Sequence, residues 1–226
     1  MKSRELTVTG ALEFTPEVFR DSRGFFVSPF QKAAFVQAGG RPLFPVSQVS
    51  VSRSRLGVVR GVHFTATPPG VAKYVYCAQG KALDLVVDLR VGSPTFGTWD
   101  SVLLDQEDFR AVYLPVGVGH AYVALHDDTV MSYTLSGSYV PENELALSFF
   151  DPDLKLPLPD GIEPLVSERD RVAPSLAEAA TQGLLPRYGR CLEIEAELTA
   201  VCRTPGTPGA EPGAPAGFES DSGSVT

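Results

Sequence analysis

The sequence predicts an all-β fold, a jelly roll or small barrel with a few short helices and a disordered tail. Three observations carry that expectation. From about Thr7 to Phe150, short runs rich in β-branched and aromatic residues alternate with turn residues. Within "LDLVVDLR", Asp84, Val86, Asp88 and Arg90 share one parity, and Leu83, Leu85, Val87 and Leu89 share the other. That is the period of a half-buried antiparallel strand with a polar face. No repeated helical unit separates the runs, which disfavours a parallel βαβ sheet.

The elements follow in chain order. "SPFQKAAFVQAGG", Ser28 to Gly40, has apolar residues at helical spacing and stops at a Gly pair. "VVRGVHF", Val58 to Phe64, reads as a strand that carries Arg60 and His63 among apolar neighbours. "TATPPG" turns the chain into "AKYVYCAQGKALDLVVDLR", which has its own turn at Gln79-Gly80-Lys81. After the turn "GSPTFG", the runs "TWDSVLL", "AVYLP", "HAYVAL" and "TVMSYTL" continue the strand series. "APSLAEAATQGLL", Ala173 to Leu185, opens on a Pro-Ser cap signal and is Ala-rich, a short helix. Residues 1–198 make one domain. From about Thr199 the composition becomes Pro/Gly/Ser-rich, and residues 199–226 are expected to be disordered.

Bulk properties narrow the function. A formal charge of −8 argues against nucleic acid as the main partner, because phosphate neutralisation needs a basic surface. A few placed arginines can still hold an anionic small molecule. Three cysteines without a CxxC indicate neither a disulfide framework nor a zinc site. No apolar run reaches membrane-spanning length, and "MKSRELTVTG" lacks the apolar stretch of a signal peptide, so a cytoplasmic protein is expected.

Arg60 and His63 pose the chemical question, because charged residues rarely enter a core unpaired. A metal is a poor answer. "PVGVGHAYV" has the form that ends a cupin-type strand pair, but Thr65 stands where a second histidine would complete His-x-His. The other histidines are His120 and His126, the latter in a surface-turn sequence, "LHDDT". There is no Gly-x-Ser-x-Gly, no phosphate loop, and Cys77 reads as an inert buried thiol. Acid–base chemistry is left. His63, Lys73, His120 and Tyr133 all fall on expected strands that a barrel can turn into one cavity. His63 and Lys73 flank a single turn, which suggests that their strands pair. Arg60 and His63 are three apart and should face opposite ways, unless Gly61 makes a bulge. Each residue also has a structural explanation: a hydrogen-bonded histidine, an edge lysine, a strand tyrosine.

"DSRGFF", "QVSVSRSRLGVVRGVHF", "KYVYCAQGKALDLVVDLRVGSPTFGTWDSVLL", "YLPVGVGHAYV", "YVPENE" and "VSERD" occur in that order. From about residue 5 to 190 the chain thereby resembles the dTDP-4-dehydrorhamnose 3,5-epimerase family, cupin-like homodimeric enzymes of deoxysugar synthesis. Its wording is nearest the branch serving antibiotic deoxysugars, some of whose members invert one carbon. The resemblance implies a cofactor-free, metal-free enzyme acting on a dTDP-linked 4-keto-6-deoxyhexose. It implies His63 as base, oriented by Asp170, Tyr133 as acid on the far face, and Lys73 beside the enolate oxygen. It places Arg23 and Arg60 on the diphosphate and Phe26 and Tyr139 on the thymine, Phe26 from the other subunit. Gln48, Ser50, His120, Glu144 and Arg169 match further substrate-binding positions.

The sequence departs from the family pattern in places. Ser28 replaces a glutamate, Ser50 an asparagine and Thr65 a glutamine, and "GHAY" stands for "AHGF". The implied catalytic set is intact, so the reading is inversion at C5, alone or with C3. C3-only epimerisation is the nearest alternative, and a non-catalytic nucleotide-sugar-binding barrel or a keto-group isomerase lies further off. A mere binder needs the arginines and aromatics but has no use for His63 with Asp170.

Overall fold

The computed structural model describes residues 1–203. Two antiparallel sheets face each other. The first runs β1 (Lys2–Glu5), β2 (Leu12–Thr15), β10 (Ala111–Leu114), β7 (Lys73–Gln79), β12 (Thr129–Leu135), β5 (Gln48–Ser54). The second runs β13 (Glu144–Ala146), β6 (Val58–Thr65), β11 (Val118–Ala124), β8 (Lys81–Asp88), β9 (Trp99–Asp105), with β14 (Leu165–Val166) parallel to β6. A separate hairpin, β3 (Val18–Asp21) and β4 (Gly24–Val27), stands outside both. The helices are α1 (Lys32–Gly39), α2 (Glu168–Arg171), α3 (Leu176–Thr181) and α4 (Tyr188–Arg203).

Three apolar layers hold these elements together. Val75, Cys77, Val86, Leu104, Leu114 and Met131 fill the space between the sheets. On the outer face of the second sheet, Val62, Phe64, Leu85, Val87 and Leu89 lie under Phe149, Leu154, Ala179 and Leu185. On the outer face of the first, Phe14, Tyr74 and Tyr113 pack against Phe35 of α1 and Cys191 and Ile194 of α4. Full burial of each such side chain contributes about 1.5–3 kcal/mol.

The second sheet is thus covered on both faces, and this overturns one expectation. β8 is not half-buried: Asp84 and Asp88 are 0 % exposed, because its polar parity faces the barrel interior. The polar groups are paired there. Arg90 donates to Asp88 through Nε at 2.9 Å and a terminal nitrogen at 2.8 Å, and Ser93 and Thr95 hydroxyls reach the same carboxylate at 2.6 Å. A second expectation also fails. The strands of His63 and Lys73 do not pair, since "TATPPG" carries the chain from β6 in one sheet to β7 in the other. The two residues therefore come from opposite walls.

The helices follow their cap signals. α1 ends at Gly40, whose φ of 64° closes the helix with a hydrogen bond to Val36 O. α3 is shorter than Ala173 to Leu185 and begins with a capping box between Ser175 and Glu178. α4 has no counterpart in the sequence reading. It docks through a buried carboxylate: Glu195 accepts from the Val116 N–H at 2.9 Å and from Arg41 at 2.8 Å. It runs to Arg203, so residues 199–203 of the expected tail are helical, and residues 204–226 lie outside the described part.

Arg90→Ala is expected to cost about 3–5 kcal/mol in chemical denaturation, because it strands a buried carboxylate. Burial works to raise the Asp88 carboxyl, but hydrogen bonds from Arg90, Ser93 and Thr95 together hold it below its usual range. The contribution of Asp88 should therefore be complete above the unfolded value of about 3.9 and be lost as pH falls through the lower folded value.

Candidate active site

A cavity of about 230 Å³ opens between the two sheets. One wall comes from Arg60 and His63 of β6 with His120 and Tyr122 of β11, the other from Ser50 and Ser52 of β5, Lys73 of β7 and Tyr133 of β12. Tyr139 and Glu144 also line it.

The parity problem of "VVRGVHF" is solved by a bulge. His63 pairs with His120 and Arg60 with Tyr122, so three steps on β6 match two on β11. Both side chains then face the cavity. Gly61 makes this possible: its φ is 105°, and a Cβ there would lie 2.3 Å from the His120 carbonyl oxygen. Arg60 is an exposed residue at the rim, not a core one.

His63 Nε2 lies 2.6 Å from Asp170 Oδ1. α2 brings the carboxylate here: Ser167 caps the helix and accepts from the Asp170 N–H at 3.1 Å. Burial works to raise Asp170, but the hydrogen bond and charge of His63, with help from Ser167 and the Gly61 backbone, hold it below the usual range. An ionised Asp170 requires the proton on Nε2, which leaves Nδ1 as the basic nitrogen. His63 makes no other side-chain hydrogen bond among the described residues.

A second histidine–carboxylate pair lies behind the first. His120 Nε2 is 2.6 Å from Asp84 Oδ2. Burial raises the Asp84 carboxyl despite the opposing effect of His120, and Asp84 Oδ1 is buried with no hydrogen-bond partner among the described residues. The same chemical pair is thus set differently in its two copies, ionised at Asp170 and pushed toward the neutral form at Asp84.

Tyr133 faces these groups from the opposite sheet. Its ring is 6.0 Å from that of His120, edge to face, and its hydroxyl is 3.0 Å from Ser52 Oγ. Burial first, then the neighbouring Tyr122, keeps Tyr133 a neutral phenol well above its ordinary range. The Lys73 side chain makes no hydrogen bond or ion pair among the described residues; burial lowers its pKa, partly offset by Glu144. Among the described residues no three His, Cys, Asp or Glu side chains converge on a point that could hold a metal ion.

Of the residues singled out from the sequence, His63, Lys73, His120, Tyr133, Arg60, Ser50, Tyr139 and Glu144 line the one cavity. Asp170 and Arg169 sit in a groove of about 500 Å³ that shares Arg60 and His63 with it. Gln48 stands one bond back, donating to Ser50 Oγ at 2.8 Å and accepting from the Tyr139 N–H at 2.9 Å. Arg23 and Phe26 do not line their own chain's cavity. They lie on the β3–β4 hairpin, Arg23 paired with Asp21 and Phe26 69 % exposed. Missed were Asp84, Ser52, Ser54 and Tyr122. Asp84 was legible only as the polar parity of β8, and the serines as the alternation in "SVSRS".

Acid–base groups on facing sheets, two of them steadied by carboxylates, define a cupin-like barrel enzyme that works by proton transfer. The comparisons agree. A profile of the dTDP-4-dehydrorhamnose 3,5-epimerase family matches residues 5–178. A dTDP-4-dehydrorhamnose 3,5-epimerase of Mycolicibacterium smegmatis is 46 % identical over 84 % of this chain and 94 % of its own. A dTDP-4-dehydrorhamnose 3-epimerase of Streptomyces niveus is 45 % identical over 94 % and 100 %. The crystal structure of a 3′-monoepimerase from Streptomyces bikiniensis, in complex with dTDP-quinovose, superposes with a TM-score of 0.81 at 45 % identity, covering 86 % and 98 %. The chain belongs to the dTDP-4-dehydrorhamnose 3,5-epimerase family.

Gly61→Ala is expected to destabilise the fold by about 1–3 kcal/mol, since its φ and its contact with the β11 backbone both oppose a side chain. Urea denaturation of the variant measures this, and an unchanged midpoint would mean that the bulge does not depend on glycine.

Proposed function

We propose that the protein epimerises a dTDP-linked 4-keto-6-deoxyhexose at C5, alone or together with C3, in deoxysugar synthesis for an antibiotic or cell-surface glycan. One observation carries the reading: a carboxylate-oriented imidazole and a neutral phenol face one cavity from opposite sheets. Inversion at carbon needs a base on one face and an acid on the other.

The ketone at C4 acidifies the protons on C3 and C5. His63 Nδ1 removes one, and Asp170 steadies the imidazolium that forms. The electron pair of the broken C–H bond moves into an enolate whose oxygen meets Lys73. One preorganised donor at such an oxygen is typically worth about 2.7–4 kcal/mol. Tyr133 then gives its proton to the carbon from the other face. Base and acid contribute roughly 10²–10⁴-fold each. A proton leaves and a proton returns, so the net reaction calls for no redox cofactor.

The cavity is near the size of a hexose and small beside typical ligand pockets of about 300–1,000 Å³. The nucleotide therefore lies along the mouth. Arg60 and Arg169 line the adjoining groove and suit a diphosphate, and the half-exposed Tyr139 offers a face to thymine. Gln48, Ser50 and Glu144 supply polar contacts around the sugar and base, and His120 supplies another deeper in. Arg23 and Phe26 reach the pocket of a second copy. The protein is accordingly a homodimer, joined through the unpaired edge of β5, with Val49 and Val51 exposed, and through the hairpin that exposes Phe19, Phe25 and Phe26. Among the described residues no helix is long and apolar enough to cross a membrane, and we place the enzyme in the cytoplasm.

Relatives named for inversion at both carbons and at C3 alone match at nearly the same identity, so C3-only epimerisation is the second reading. NMR of dTDP-4-keto-6-deoxyglucose in D₂O with the enzyme separates them by the ring carbon that takes up deuterium. Uptake at C5 is expected; uptake at C3 alone selects the second reading, and no uptake leaves only a binding protein. His63→Ala should abolish uptake at both carbons, and exchange retained at either would remove His63 as sole base. Tyr133→Phe should keep proton abstraction but lose inverted product, and full epimerisation by that variant would count against the phenol as acid.

A further inference from the structure

We propose that Ser52, Tyr122 and Ser54 are positioning residues that act through Tyr133, forming a one-way hydroxyl chain that starts at Arg60 and aims the Tyr133 proton into the cavity. This rests on the reading of Tyr133 as the acid. The chain is continuous. Arg60 Nε donates to Ser54 Oγ at 3.2 Å, and Ser54 Oγ is 2.8 Å from the Tyr122 hydroxyl. The Tyr122 hydroxyl is 3.0 Å from Ser52 Oγ, which is 3.0 Å from the Tyr133 hydroxyl.

Hydroxyls by themselves set no direction, because each can give or accept. Arg60 sets it. A guanidinium has donors only, so the first link runs from Arg60 to Ser54. Ser54 is 4 % exposed, and its Oγ has no partners among the described residues other than Arg60 and Tyr122. If Tyr122 donated to Ser54, the Ser54 proton would be buried without an acceptor, which costs free energy. If Ser54 donates instead, Tyr122 gives to Ser52 and Ser52 gives to Tyr133. The Ser54, Tyr122 and Ser52 protons then each have an acceptor, and Tyr133, which accepts from Ser52 and lines the cavity, keeps its own proton to give.

This direction serves the acid twice. Before transfer, the Tyr133 O–H is turned toward the ring carbon and not into the protein. In the transfer, the O–H bond breaks, its proton joins the enolate electron pair to form the new C–H bond, and the oxygen keeps its own pair as phenolate. That phenolate retains the hydrogen bond from Ser52, backed by two hydroxyls and a guanidinium, and such bonds strengthen when the acceptor is charged. The Ser54, Tyr122 and Ser52 hydroxyls do not ionise in the step. Tyr133 regains a proton from water as product leaves. Because Arg60 also lines the groove at the mouth, one guanidinium serves both the anion and the acid.

The test measures two rates in D₂O on one sample, deuterium uptake into substrate and appearance of inverted product. Wild type, Ser52→Ala, Ser52→Thr, Tyr122→Phe and Tyr133→Phe are compared. Ser52→Ala and Tyr122→Phe are expected to keep uptake and KM while inversion falls about ten- to hundredfold, the loss of one hydrogen bond to a charged group. Ser52→Thr, which keeps the hydroxyl, should restore most of the inversion. If Ser52→Ala and Tyr122→Phe lose both rates together, or neither, the proposal is overturned. Tyr133→Phe separates it from the underlying reading. Wild-type inversion by that variant ends both, whereas its loss beside intact inversion in Ser52→Ala and Tyr122→Phe ends the chain alone.

Discussion

The 2.6 Å hydrogen bond between His63 and Asp170 joins two parts of the chain 107 residues apart, and the rest of the site depends on it. β6 supplies the imidazole, but β6 alone cannot say which ring nitrogen is basic. That is decided by α2, a four-residue helix whose work is to hold one ionised carboxylate against Nε2. The Gly61 bulge is the other half of the device. Without it His63 and Arg60 would face opposite sides of the sheet, and only one of them would reach the cavity. The Gly61 backbone also helps to hold the Asp170 carboxyl below its usual range, so the bulge and the carboxylate lie together. One carboxylate therefore sets the chemistry of the histidine next to the backbone that presents it.

The cavity repeats one motif in two settings. Asp170 can stay charged because hydrogen bonds from His63, Ser167 and Gly61 converge on it. Among the described residues Asp84 has His120 alone and one oxygen with no partner, so burial prevails and raises its pKa. Histidines from adjacent strands, directly opposite each other, thus meet carboxylates whose affinities for a proton are shifted in opposite directions. Opposed environments for like groups are a usual way for one fold to separate acid from base. Tyr133 faces both pairs from the other sheet, where burial keeps it protonated.

How much of this was legible depended on the range of the interaction. Turns and strand runs are local, and "VVRGVHF", "TVMSYTL" and the Gly61 bulge could be read from neighbouring residues. The burial of β8 could not. Alternating Asp and Leu predicts one wet face, and only a second sheet closing over that face turns Asp84 and Asp88 into interior pairs. The strand partners of β6 and β7 failed for a related reason: a short turn suggests a hairpin, but "TATPPG" crosses between sheets. α4 was missed because its anchor is polar. Glu195 looks like a surface residue until Arg41, Tyr113 and the Val116 N–H surround it. Asp170, for its part, came from the family resemblance and not from spacing, since nothing local ties "SERD" to "RGVHF".

The departures from the family wording have a common physical character. Thr65 does not leave a gap where a glutamine is usual; its hydroxyl donates to Glu144 Oε1 at 2.9 Å. Ser50, in place of asparagine, accepts from Gln48 at 2.8 Å. Tyr122, in "GHAY", adds a hydroxyl that bridges Ser52 and Ser54. Each change is absorbed by a hydrogen bond inside the binding wall, and none of these bonds engages His63 or Lys73. On the proposed reading, such changes shorten or stiffen the groups that meet substrate and leave His63 and Tyr133 in place. Differences in which carbon is inverted should then arise from how the sugar sits between these two groups. A ring rotated within an unchanged pair presents C3 or C5 by turns, and polar side chains of different reach are sufficient to choose between them.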